Sequence, residues 1–372
     1  MKKLMSMALV IVLALGNIGC AASAADQENN NEGGKEVIVD RAQEILDTMT
    51  LEEKIGQMFF VRCPEENAAN VVSQFNIGGY LLFARDFNNN TSEDVKNAIS
   101  SYQKSSKVPL LIGVDEEGGT VNRISKFPAF RKTPFKSPQE LYAEDGFNLI
   151  FSDTKEKCLL LKSLGVNVNL APVCDVATDD TAFIYSRTLG KDAVTTSEYV
   201  TDVVSVMKAQ QVGSALKHFP GYGNNGDTHT DIVTDSRTRD EFENNDFLPF
   251  EAGIAAGADI VLVSHNIVSA FDKDRPASLS QNIHYILRNE LGFNGVIMTD
   301  DLSMEAIKQY IGDSEAAVEA VKAGNDLLCC SDYEIQIKAV IDAVSSGEIP
   351  AERIDYSAKK IIQMKLNLGL LK

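Results

Sequence analysis

Two histidines, a lysine and two aspartates crowd into fifteen residues, Lys217-His218-Phe219-Pro220-Gly221-Tyr222-Gly223-Asn224-Asn225-Gly226-Asp227-Thr228-His229-Thr230-Asp231. An imidazole titrates near neutrality, so His229 can give and take a proton within one reaction cycle. Asp227, two residues earlier, has the reach to fix its tautomer and stabilise the cation, the part a carboxylate plays beside histidine in a Ser-His-Asp triad. Lys217 and His218 add hydrogen-bond donors just upstream. Taken alone, Asn224-Asn225-Gly226-Asp227 reads equally as a solvated turn with Asp227 and His229 at its edges. Other parts of the chain decide between the two.

The stretch follows Ser214-Ala215-Leu216, an apolar run that reads as the end of a buried strand. Similar runs recur at Gln57 to Val61, Gly78 to Phe83, Leu110 to Val114, Val166 to Leu170, Ile260 to Val263, Gly295 to Met298 and Asp326 to Cys330, eight in all. Between them lie segments of helical composition: Thr91 to Ser105, Ser197 to Gln210, Arg239 to Ala256, Gln281 to Leu291 and Ser303 to Ala323. Thr50-Leu51-Glu52-Glu53 has the form of a capping box. This alternation predicts an α/β fold, a single-domain (β/α)8 TIM barrel. An open doubly wound sheet is the competing fold, but no GxGxxG follows the first strand, which argues against a dinucleotide site.

A barrel brings the residues after each strand to one rim. They are Asp115-Glu116-Glu117-Gly118-Gly119 after the third strand, Ala171-Pro172-Val173-Cys174-Asp175 after the fourth and Lys217-His218 after the fifth. Ser264-His265-Asn266 follows the sixth and Thr299-Asp300-Asp301 the seventh. His284 falls in a helical stretch and reads as structural. With no HxH or HExxH and with scattered carboxylates, the residues suit neither a catalytic metal nor another cofactor.

At these positions the chain resembles the family 3 glycoside hydrolases, in particular their single-barrel β-N-acetylglucosaminidases. Asp115-Glu116-Glu117-Gly118-Gly119-Thr120-Val121-Asn122-Arg123 is similar to the family's D-x-E-G-G-x-V-x-R segment, and Tyr185-Ser186-Arg187-Thr188-Leu189-Gly190 to its sugar-contacting arginine loop. Lys217 to Gly221 matches KHFPG, Asp227-Thr228-His229 the D-x-H dyad, and Met298-Thr299-Asp300-Asp301-Leu302-Ser303-Met304 the nucleophile segment. Tyr222 stands where KHFPGHG has histidine, and the loop before Asp227 is one residue shorter than is frequent.

The resemblance implies a retaining exo-β-N-acetylglucosaminidase, with Asp300 as nucleophile, His229 as acid/base and Asp227 as its partner. Asp301 is the alternative nucleophile, or a helix cap. Asp115, Arg123, Arg187, Lys217 and His218 are the expected sugar contacts. The expected substrates are peptidoglycan fragments or chitin oligosaccharides with a terminal GlcNAc. Two other readings stay open: a phosphorylase, since a histidine acid/base tolerates incoming phosphate, and a sugar-binding lipoprotein without activity.

The remaining features bear on place rather than chemistry. Lys2, Lys3 and the apolar run Met5 to Leu15 form a targeting segment too short to span a membrane well. Asn17-Ile18-Gly19-Cys20 resembles a bacterial lipobox, apart from Asn17 where leucine is usual. The expected organisation is a lipoprotein signal peptide over 1–19, a flexible tether over 20–36 beginning with lipidated Cys20, and the barrel over 37–372. That places the protein outside the cytoplasm, on a bacterial membrane through the lipid alone, or secreted if Cys20 is not processed; a monomer is expected. The net charge of -18 argues against nucleic acid. Five further cysteines, without CxxC spacing, read as buried thiols.

Overall fold

A computed structural model of the chain describes residues 40–223, 232–330 and 332–372. The proposed signal peptide and tether lie outside the described residues, as do Asp227 and His229. The strands are β1 (Phe59–Arg62), β2 (Gly79–Leu82), β3 (Leu111–Val114), β4 (Val168–Asn169), β5 (Gly213–Phe219), β6 (Thr234–Asp235), β7 (Ile260–Val263), β8 (Ile267–Val268), β9 (Val296–Thr299) and β10 (Leu328–Cys330). Eight of them form one parallel sheet in the order β10-β1-β2-β3-β4-β5-β7-β9. A parallel bridge from Met298 to Leu327 joins the two ends and closes the (β/α)8 barrel. All eight predicted strands are present.

These strands are apolar throughout because helices cover the outside while side chains fill the inside. Phe60 shows how the inside is filled. Its ring lies where a Cβ on Gly79 or Gly113 would be, so the glycines of β2 and β3 admit an aromatic from β1. Tyr80, one position on from Gly79, points outward and donates to the Ala68 carbonyl at 2.7 Å. Side chains two apart on a strand share a face. Arg62 therefore shares the inward face of Phe60, Phe83 that of Gly79, and Asp115 that of Gly113, at the carboxyl end of the barrel.

The helices are set by local signals. Thr50 and Glu53 form the predicted capping box, and Thr91 with Asp94 caps Ser92–Ser105. The expected helix over Arg239 to Ala256 is interrupted by a π-helical turn over Phe242–Asp246. The expected segment Ser303 to Ala323 splits into Glu305–Lys308 and Asp313–Ala323 around Gly312. The longest helix, Pro138–Leu164, carries non-helical backbone at Asp145 and Gly146. Helices Arg41–Asp47 and Ala351–Asn367 pack through Ala42, Leu46, Ala358 and Ile362. All five cysteines in the described residues are free and buried.

Candidate active site

The three acids after β3 do three different things. Asp115 lies at the mouth, and its Oδ1 accepts from Lys217 Nζ at 2.7 Å. Glu116 is fully buried and turned back, accepting from the backbone N–H groups of Arg123, Ile124 and Ser125 at 2.8, 2.7 and 3.0 Å. It fixes the loop that carries Arg123. Glu117, also buried, takes a two-pronged contact from Arg187, at 3.0 Å from Nε and 2.8 Å from Nη2, and a third from Lys217 Nζ at 2.6 Å.

Burial alone would raise the Glu117 carboxyl, but Lys217 and Arg187 more than offset it and hold the group well below the usual carboxylate range. Burial likewise opposes the charge on Lys217, and Asp115 with Glu117 restores it, leaving the ammonium more firmly protonated than usual. Lys217 and Arg187, both shifted toward the charged form by Glu117, are held as donors.

His218 extends the cluster. Arg187 Nη2 lies 3.2 Å from His218 Nε2, and a guanidinium can only donate, so Nε2 accepts and Nδ1 carries the proton. Nδ1–H donates to Asp175 Oδ2 at 2.8 Å. Asp175 also accepts from the backbone N–H of His218 at 3.1 Å and of Tyr222 at 2.7 Å, pinning both sides of the turn after β5. Tyr222 is buried among Val173, Ala177 and Ile184, edge-on to His218 with ring centroids 5.2 Å apart. The tyrosine that stands where KHFPGHG has histidine is thus packed at the foundation of the loop.

Asp300 follows β9 on the far side of the mouth. Its backbone N–H donates to the Val263 carbonyl at 2.9 Å, and its Oδ1 accepts from Asp301 N–H at 2.9 Å. Asp301 is turned elsewhere: its Oδ1 accepts from Ser303 N–H at 2.9 Å and its carbonyl accepts from His265 Nε2 at 2.9 Å. With Nε2 donating, His265 Nδ1 accepts from the Ser278 hydroxyl at 2.8 Å. His265 is fully buried and positions this turn. Asp301 thus acts as a turn cap.

Predicted Asp115, Arg187, Lys217 and His218 therefore meet in one hydrogen-bonded cluster, with Asp300 across the barrel from it. Arg123 stands apart from the cluster, its guanidinium carbon 5.8 Å from the Phe83 ring centroid. Asp227 and His229 cannot be placed with these groups, but the base of their loop is described. Arg237 donates to Asp235, to both oxygens of Asp246 at 2.9 Å, and to the Gly221 carbonyl at 2.8 Å. A Cβ on Gly221 would strike Asp246, and one on Gly223 would strike Arg237, so the glycines are what let the chain pass this clamp. Sequence reasoning missed Glu117, Asp175 and Arg237 as site-shaping groups; adjacency to predicted contacts was the available signal. Among the described residues no three His, Cys, Asp or Glu side chains gather as metal ligands.

Residues 50–364 match the model of the family described as "Glycosyl hydrolase family 3 N terminal domain". A Pseudoalteromonas piscicida protein named Beta-hexosaminidase A is 30% identical over 328 residues, 81% of this chain, and the match spans only 55% of that protein. A Beta-hexosaminidase of Nitrosomonas eutropha is 31% identical over 262 residues, covering 69% of this chain and 74% of the relative. Among solved structures, a glycoside hydrolase family 3 beta-N-acetylglucosaminidase from Paenibacillus sp. str. FPU-7 superposes with a TM-score of 0.81 at 30% identity, covering 87% of this chain and 63% of that one.

Proposed function

The chain belongs to glycosyl hydrolase family 3, and from that premise we propose that it is a retaining exo-β-N-acetylglucosaminidase that removes non-reducing terminal GlcNAc. The observation that carries the reading is the placement of one carboxylate, Asp300, at the end of β9, opposite the buried Asp115–Lys217–Glu117–Arg187–His218 cluster. The cluster offers fixed donors and one acceptor to the hydroxyl and acetamido groups of a sugar, and Asp300 faces its anomeric carbon. Names carried by the relatives support the sugar class.

In this reading Asp300 attacks the anomeric carbon while His229 gives its proton to the departing oxygen. His229 then takes a proton from the water that breaks the glycosyl–Asp300 bond, with Asp227 stabilising the imidazolium meanwhile. No cofactor is required. Peptidoglycan fragments or chitin oligosaccharides supply the substrate, and lipidation of Cys20 would hold the enzyme beside the cell wall. Replacement of Cys20 by alanine should then move the protein from the membrane fraction to the soluble one.

The test is the initial rate of 4-nitrophenol release from the β-N-acetylglucosaminide against the β-glucoside. Release from the first alone upholds the reading. Release that depends on added phosphate and yields the sugar 1-phosphate would make the enzyme a phosphorylase, and release from neither would overturn the enzymatic assignment.

A further inference from the structure

The chain has eleven arginines against an excess of acid, 53 Asp and Glu to 35 Lys and Arg. Nine of the arginines lie within 4 Å of a carboxylate: Arg41, Arg85, Arg131, Arg187, Arg237, Arg239, Arg275, Arg288 and Arg353. Among the described residues the two without one are Arg62 and Arg123. Both sit at the mouth and both stack on the same ring, Phe83, at 4.3 and 5.8 Å from its centroid. In each, Nε is buried without a hydrogen-bond partner. Among the described residues their outer nitrogens have no hydrogen-bond partner either, and they are not sealed from solvent.

The barrel's order shows which way this pair faces. Going round the sheet from Asp300 on β9 to Asp115 on β3, one arc passes β7, β5 and β4 and carries Lys217, His218 and, above them, Arg187. The other arc passes β10, β1 and β2 and carries Arg62 and Phe83 at its inward-facing upper ends. A sugar lying between Asp300 and Asp115 therefore has the ion-paired cluster on one flank and, on the other, two guanidiniums that make no ion pair among the described residues. Asp86 is the acid nearest in influence to Arg62: burial raises its carboxyl, against smaller opposing effects of the Phe83 N–H, Arg85 and Arg62, and it is occupied by Phe83 N–H at 2.7 Å and lies beside Arg85. Two planar forks held by one ring, with no carboxylate within 4 Å among the described residues, are built to take a carboxylate, sulfate or phosphate.

We propose that Arg62 and Arg123, stacked about Phe83, form a subsite for an anionic group carried by the substrate, with Arg62 the residue that selects for it. The inference rests on the β-GlcNAc hydrolase reading for the orientation of the sugar. The anion has two possible positions: on the sugar that is released, or on the leaving group.

Two substrate pairs separate them. The first is 4-nitrophenyl N-acetyl-β-D-glucosaminide with and without a 6-sulfate. The second is a GlcNAc disaccharide whose reducing sugar bears a lactyl carboxylate, against chitobiose. The charged member of one pair should have the higher kcat/KM by about tenfold or more, the worth of one charge-assisted contact. Arg62→Met, which keeps the stem over Phe83, should bring that ratio near one, and Arg62→Lys should restore part of it. Preference within the first pair places the anion on the released sugar, and within the second on the leaving group. Ratios near one in both pairs, or a ratio that survives Arg62→Met, would overturn the subsite. Failure of every compound to turn over would count against the hydrolase reading instead, and calorimetric titration of the same pairs then decides the subsite by the same ratios.

Discussion

Lys217 and Glu117 meet at 2.6 Å with their side chains 2% and 3% exposed, so neither charge has water to fall back on. Among the described residues Glu117 is the one carboxylate shared by Lys217 and Arg187. Glu117→Gln should destabilise the fold by about 3–5 kcal/mol, the usual consequence of unpairing a buried charge. It should also lower kcat/KM by about a hundredfold or more, because the two proposed sugar donors lose their common anchor. Denaturant unfolding and steady-state rates measure the two effects separately. Because the Glu117 pKa is depressed in the fold, its stabilising contribution is present above the ordinary value of 4.5 and is lost only as pH falls through the lower folded value. In wild-type protein this pair should therefore outlast mild acid.

Asp300→Ala should cut turnover by at least roughly a thousandfold while changing stability by no more than about 1 kcal/mol, since the side chain is only partly buried. Added azide should rescue the variant and give the α-glycosyl azide, the product of a direct displacement where two had occurred. Asp301→Ala should instead act through the turn, because its Oδ1 holds Ser303 N–H. It should cost stability and keep part of the rate. Equal loss in the two variants without azide rescue of Asp300→Ala would remove Asp300 from the nucleophile's place.

How far the sequence could be read follows from what each residue answers to. The eight barrel strands were legible because burial on both faces leaves short unbroken apolar runs, and polar residues such as Asp115, Lys217 and Asp300 mark where each run leaves the core. Arg62 is not legible as a site residue, since the apolar run Gln57 to Val61 ends one residue before it. Glu117 and Asp175 were hidden for another reason: their roles depend on partners 70 and 43 positions away, Arg187 and His218, and no local spacing announces such pairs. The helix Pro138–Leu164 was missed because the break at Asp145 and Gly146 disrupts its periodicity.

Arg237 joins the two ends of the stretch that carries Asp227 and His229, holding Gly221 before it and Asp235 after it. Arg237→Met would leave Asp235 and Asp246 buried without their cation. A loss of about 3 kcal/mol in unfolding free energy is expected. In the native variant kcat should fall more than KM rises if the proposed roles hold, because the proposed sugar contacts Lys217 and Arg187 are untouched while the proposed proton-transfer residues Asp227 and His229 lose their tether. Arg237→Lys should recover little, since a single ammonium cannot span two carboxylates and a carbonyl. A variant with unchanged kcat would show that the loop's base does not govern its chemistry.

Lys365 offers a pH test independent of catalysis. It is fully buried in the helix Ala351–Asn367, with Gln57 Oε1 at 2.6 Å, and burial pushes its pKa down from 10.5 to about 7. In the unfolded chain the ammonium keeps its proton until about pH 10.5. Between these values the unfolded state binds more protons, so stability rises with pH, by at most about 1.4 kcal/mol per unit. Below pH 7 both states are protonated and the folded chain bears the whole desolvation cost. Lys365→Met should therefore stabilise the protein at pH 7 by about 2 kcal/mol, even with Gln57 Oε1 left unsatisfied. The advantage should shrink steadily toward pH 10. Urea midpoints of both proteins across this range measure the difference directly, with the other titrating groups cancelling in the comparison. A constant gap at every pH would mean that Lys365 stays protonated in the fold throughout.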